Sequence, residues 1–222
     1  MPSSSAEHAP SLGPAPAAPS PGDAQQLPAL LPIFLKLAGR RVVVVGGGPV
    51  AAAKLQGLRG TGAEIVVVSP ALAPALRAEV ERDPRAITVV ARPFEATDLD
   101  GAWLAIAAAP PEVNRQVAAA AEAEGRRVFV IAVDDPGTAS AYAGGTLRRG
   151  GVTVAISTDG QAPALAGLLR EGFEAMLPAE DLEAWAAEAR ALRPGWRAAG
   201  VPFPQRRPLL LAALNRLYGS RS

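Results

Sequence analysis

The sequence predicts an α/β fold in which a doubly wound parallel sheet is followed by a small α+β region and then by C-terminal helices. Three observations predict it. An apolar run enters a glycine turn and a helix start at residues 42–54, short β-branched runs alternate with helical patterns as far as residue 133, and that alternation stops after residue 134.

Residues 41–45, Arg-Val-Val-Val-Val, have the continuous apolar character of a strand buried on both faces. Gly46, Gly48 and Ala51 follow with the G-x-G-x-x-G/A spacing. The first glycine permits a tight turn, the second lets the backbone approach a pyrophosphate, and the small third residue lets helix pack on strand, so the sheet is Rossmann-like. Pro49 and Val50 open a helix that runs to residue 59, and its first N–H groups face the anion. Strand 64–69 and helix 74–81 come next, with a short strand at 86–91 pairing nearby. Strand 103–107, an alanine-rich helix over 111–124 with proline in its first turn, and strand 127–133 complete the alternation.

Ligands of such sheets collect at the carboxyl ends of the strands, where the strand order reverses. Residues 46–50, the pair Ser69 and Pro70, the pair Ala107 and Ala108, and Asp134 all lie at such ends, so four stretches converge on one crevice. An acidic residue for the adenosine ribose is expected about 20 residues after the glycines. The second strand ends instead in Ser69-Pro70, and no arginine stands beside it to welcome a 2′-phosphate.

Past residue 134 the pattern changes. Asp-Asp-Pro-Gly is a turn, Gly144-Gly145 is another break, the basic Arg148-Arg149 pair falls in a loop, and residues 151–157 read as a strand. A helix over 163–177 carries Leu165, Leu168, Leu169 and Phe173 on one apolar face, and helices at 181–192 and 208–218 follow, divided by a Pro/Gly-rich connection. A strand and an amphipathic helix left outside the sheet need cover, and a second copy supplies it, which predicts a homodimer. The other solution is a small appendage folded onto its own sheet. The expected organisation is an extension over 1–26, a nucleotide-binding domain over 27–142, a dimerisation region over 143–177 and a helical domain over 178–222.

Composition narrows the chemistry. A net charge of +1 over 222 residues gives no bulk attraction to nucleic acid or an acidic membrane surface, and no apolar run is long enough for a membrane span. The absence of cysteine removes thiolate chemistry and cysteine-ligated metals, and the single histidine, His8, lies in the Pro/Ala/Ser-rich opening, so no metal site is expected. A reducing cytoplasmic setting fits.

Several stretches match a known family together. They are Leu31-Pro32-Ile33-Phe34, Gly46-Gly47-Gly48-Pro49-Val50-Ala51 with Lys54, Arg92-Pro93-Phe94, and Trp103-Leu104-Ala105-Ile106-Ala107-Ala108. Val113-Asn114, Val133-Asp134 and Ala155-Ile156-Ser157-Thr158 continue the series. From residue 31 to residue 177 this order resembles the precorrin-2 dehydrogenase family, including the amino-terminal part of siroheme synthase. The resemblance implies oxidation of precorrin-2 to sirohydrochlorin with NAD, on a Rossmann domain followed by a dimerisation region and a small helical domain. Some members also insert iron into the product. This chain departs from the family pattern at Ile131, Ala162 and Gly167.

On that resemblance Asp134 is the candidate general base or substrate-orienting carboxylate. On their residues alone, Asp134 and Asp135 read as the start of a turn rather than as a functional pair. Lys54 is a candidate for a phosphate or a substrate carboxylate, or a solvated helix residue; Asn114 is a ligand contact or a local cap. A carboxylate-rich tetrapyrrole calls for arginine forks, and Arg148, Arg149 and Arg170 are the candidates, the alternative for the basic pair being solvated surface; Ser157 and Thr158 line the same site or simply end a strand. Two other functions remain: a bifunctional dehydrogenase and ferrochelatase, and a non-catalytic NAD-sensing module.

Overall fold

The computed structural model describes residues 29–123, 125–133 and 136–219. Residues 1–34 and 35–222 form two units, and every element named below belongs to the second. Five strands make one parallel sheet: β1 (Arg41–Val45), β2 (Glu64–Val68), β3 (Ile87–Val90), β4 (Ala102–Ala107) and β5 (Phe129–Ala132). Their spatial order is β3-β2-β1-β4-β5, so the order reverses between β1 and β4. That reversal is the crevice the sequence predicts.

The four valines of β1 explain why it lies at the centre. They are 0 to 2 % exposed, and they alternate between two cores. Val42 and Val44 pack with Ile65, Val67 and Leu55 on one face; Val43 and Val45 pack with Val66, Val68 and Val117 on the other. Each buried valine contributes roughly 1.5 to 3 kcal/mol, so the doubly covered strand anchors the sheet. Helices α1 (Pro49–Gly57) and α2 (Pro74–Arg82) cover the first face, and α3 (Pro111–Glu122) covers the second. All three open on proline, which has no N–H to leave unsatisfied and a φ already suited to a helix.

Beyond the sheet lie a two-stranded antiparallel ribbon, β6 (Gly145–Arg149) and β7 (Val152–Ile156), and three helices, α4 (Pro163–Met176), α5 (Ala179–Ala198) and α6 (Phe203–Gly219). Two sequence expectations are corrected here. The stretch read as a break followed by a basic loop is strand β6, with Arg148 opposite Thr153 and Arg149 opposite Val152. Only Leu147 of its five residues is buried, so no two-residue apolar period betrays it. Its turn is Gly150-Gly151, at φ +55° and +79°. Both last helices also run through prolines expected to bound them, Pro194 in α5 and Pro208 in α6. One proline removes a single backbone bond, and the alanine-, leucine- and arginine-rich flanks carry the helix past it.

Candidate active site

The glycine turn sits where β1 ends, and each of its three glycines meets a different neighbour. Gly46 has φ +127°, and a Cβ there would stand 2.1 Å from the Ala108 carbonyl oxygen. A Cβ on Gly47 would stand 1.8 Å from the Ala71 carbonyl and 2.5 Å from Ser69 Oγ. At Gly48 nothing lies within 4 Å of that position. The turn is therefore pressed against β4 by its first glycine and against the segment after β2 by its second, while the third faces open space. That opening, at the residue preceding Pro49 and α1, is the cradle a dinucleotide phosphate needs, so the residues present fit the group. Val50 is exposed at the same helix start, and Ala51 is fully buried against the sheet.

The ends of the neighbouring strands are tied to this turn. Ala108 donates its N–H to the Val45 carbonyl at 2.8 Å, and Val133 donates to the Ala107 carbonyl at 3.0 Å. Ser69 is 6 % exposed; its hydroxyl donates to the Ala71 carbonyl at 2.8 Å, and its N–H donates to the Val90 carbonyl. That proton is committed to the turn through Ala71, leaving Oγ as an acceptor, while Pro70 beside it is exposed. Asn114 is buried, and its Oδ1 accepts the Ala109 N–H at 3.0 Å. Asp134 and Asp135 lie outside the described residues, directly after the segment that ends β5. Lys54 is half-buried on α1 and makes no ion pair among the described residues.

The arginines are placed elsewhere. Arg148 donates to the Gly57 carbonyl at 3.2 Å, at the end of α1 remote from the glycine turn, where a cation complements the helix dipole. Arg149 and Arg170 share Glu174, and Arg170 also pairs with Glu171 at 3.2 Å. Thr158 Oγ1 accepts the Ala162 N–H, and Ser157 Oγ accepts the Asp159 N–H. Both residues line a cavity of about 230 Å³ with Tyr142, Gly144, Ile156 and Gly167. A larger cleft, about 480 Å³, lies at the far ends of α1 and α2 beside Leu58, Arg59 and Glu79, away from the glycine turn. Arg59 and Gln56 both donate to Glu79 there. The Arg59 bond, opposed by burial and aided by Gln56, holds the Glu79 carboxyl below its ordinary range.

Sequence reasoning missed Gly47. The unbroken Gly-Gly-Gly run was its signal, since the dinucleotide spacing accounts for only two of the three.

Two family models match the chain: one described as "Putative NAD(P)-binding" over residues 33–145, and one described as "Sirohaem biosynthesis protein central" over residues 149–176. Siroheme synthase 1 of Aeromonas salmonicida is 42 % identical over 178 residues, which cover 80 % of this chain and 37 % of that protein. Siroheme synthase 2 of Cronobacter sakazakii is 44 % identical over 149 residues, 67 % of this chain and 32 % of that protein. The chain thus spans about a third of the length of these curated relatives. Among solved structures, SirC, a precorrin-2 dehydrogenase, has the same fold, with a TM-score of 0.65 at 24 % identity over 82 % of this chain and 88 % of that one.

Proposed function

The chain belongs to the siroheme synthase and precorrin-2 dehydrogenase family, and from that premise we propose that it oxidises precorrin-2 to sirohydrochlorin with NAD. The observation that carries the reading is the crevice at the strand-order reversal, where Gly48 faces open space at the start of α1. The reaction removes two electrons and two protons from the macrocycle. Bound NAD supplies the hydride acceptor. The chain must hold the dinucleotide across β1 and β4, orient the macrocycle over it, and take up the remaining proton.

Asp134 is the proposed proton acceptor. In sequence it follows β5, the strand next to β4, and it is the carboxylate of the family motif Val133-Asp134. Ser157 and Thr158 line the same cavity as Tyr142 and Gly144 and are proposed to meet the tetrapyrrole. Arg149 and Arg170 reach substrate carboxylates only by leaving Glu174, so their proposed role is secondary. Asp134→Ala is expected to fold and bind NADH as the wild type does while losing turnover by at least about a hundredfold. Turnover within twofold of wild type contradicts the assignment.

We further propose a homodimer built on residues 143–177. Leu165, Leu168, Leu169, Phe173 and Met176 form an exposed stripe on α4, 37 to 72 % accessible, which is a large apolar area for a surface helix to leave in water. No helix among the described residues is long and apolar enough to cross a membrane. A cysteine-free chain drawing on NAD suits the cytoplasm, which is where we place the reaction.

A further inference from the structure

Asn114 is 3 % exposed, yet only half of its carboxamide is used within the protein. Oδ1 accepts the Ala109 N–H at 3.0 Å, and the backbone N–H of Asn114 donates to the Pro110 carbonyl at 3.0 Å. The side-chain NH₂ carries two donors, and neither has an acceptor among the described residues. Nor is that nitrogen sealed off: among the described residues Arg41 Nε is the one fully buried side-chain polar atom without a partner. The NH₂ group is therefore reachable from outside through the small part of Asn114 that remains open.

Asn114 itself borders the crevice. Asn114 is bonded to the peptide that follows β4, and the preceding carbonyl, Ala108, is the one against which Gly46 is pressed. Asparagine is a poor residue for the interior of a helix, and burying its amide without an acceptor is unfavourable. The unfavourable choice is offset when a ligand oxygen completes the bond. On either side of the reversal, β2 serves the adenosine half of a dinucleotide and β4 the other half.

We infer that Asn114 is a cofactor-positioning residue: Oδ1 fixes the turn after β4, and the NH₂ group donates to an oxygen on the nicotinamide half of NAD. This rests on the dinucleotide reading of the crevice and assigns one half of the ligand to one side chain. Aspartate at this position keeps an oxygen for the Ala109 N–H and loses both donors; alanine loses everything.

The test is titration of the intact wild-type protein, Asn114→Asp and Asn114→Ala with NADH and, separately, with ADP, alongside thermal melts. Both variants should weaken NADH by at least about tenfold and ADP by less than about twofold, with Asn114→Asp melting closer to wild type than Asn114→Ala. Unchanged NADH affinity in a folded variant overturns the inference. So does ADP weakening as much as NADH, which would indicate an effect on the phosphates, and so does loss of the fold in both variants, which would make Asn114 structural alone. If the wild type binds ADP but not NADH, the inference fails. If it binds neither, the dinucleotide reading itself has failed.

Discussion

At Gly47 a single methyl group has nowhere to go, because the Ala71 carbonyl already occupies the position, whereas at Gly48 the same methyl group enters open space. The two residues are adjacent and identical, so their substitutions separate packing from binding. Gly47→Ala is expected to destabilise the protein by about 3 kcal/mol through displacement of the segment after β2. Gly48→Ala, at an ordinary φ of −87°, should melt within about 2 °C of wild type and bind NADH at least about tenfold more weakly. Thermal melts paired with NADH titration check both; a stable, tight-binding Gly48→Ala would mean that the phosphates lie elsewhere. The spacing of the sequence identified Gly46 and Gly48; the unbroken run marked Gly47, but only the fold shows what it packs against, since the carbonyl it abuts is 24 residues further along the chain. Distance in sequence likewise hides the commitment of Arg148, whose partner is the Gly57 carbonyl 91 residues earlier.

At the scale of elements, the connection from β3 to β4 is held by one buried carboxylate. Asp98 is 5 % exposed, takes a two-pronged grip from Arg92 at 2.7 and 2.9 Å, and accepts the Glu95 N–H at 2.8 Å. Burial alone would raise the Asp98 pKa, but the Arg92 bond, the Glu95 N–H and the charges of Arg92 and Arg41 together outweigh it, so the carboxyl is held below its ordinary range. The stabilisation is present above the unfolded pKa, about 4, and is lost as pH falls through the lower folded value. Because Arg92 is more than a third exposed, water screens part of it. Asp98→Asn is expected to lower stability by on the order of 2 kcal/mol at pH 7, with the gap from wild type closing in acid, as read by denaturant melts across pH. A gap that persists unchanged below pH 3 contradicts the ion-pair account. Elements of the sheet were legible because their interiors are continuous: β1, β2 and β4 each bury at least four residues. The ribbon was half legible, since β7 carries Val152, Val154 and Ile156 at alternate positions while β6 has Leu147 alone. Pro194 and Pro208 misled because a helix end is set by the balance of a whole segment, not by one unfavourable residue.

For the whole molecule, the same apolar stripe that the sequence showed on α4 stays exposed in the isolated chain, as a surface awaiting a second copy would. A mass near twice 22.7 kDa is expected from sedimentation equilibrium, with Leu168→Glu shifting the protein toward single copies. A wild type that sediments as one copy at micromolar concentration would refute the homodimer. Family membership, the parallel sheet and the glycine crevice all point to one chemistry, yet they bear on its substrate only through relatives about twice as long as this chain. The most direct measurement is therefore an anaerobic incubation of the wild-type protein with precorrin-2 and NAD, following NADH and the macrocycle spectrum together. One NADH formed for each sirohydrochlorin, dependent on the protein, is the predicted result. NADH binding without any change in the macrocycle would contradict the proposed reaction and leave a nucleotide-binding module in its place.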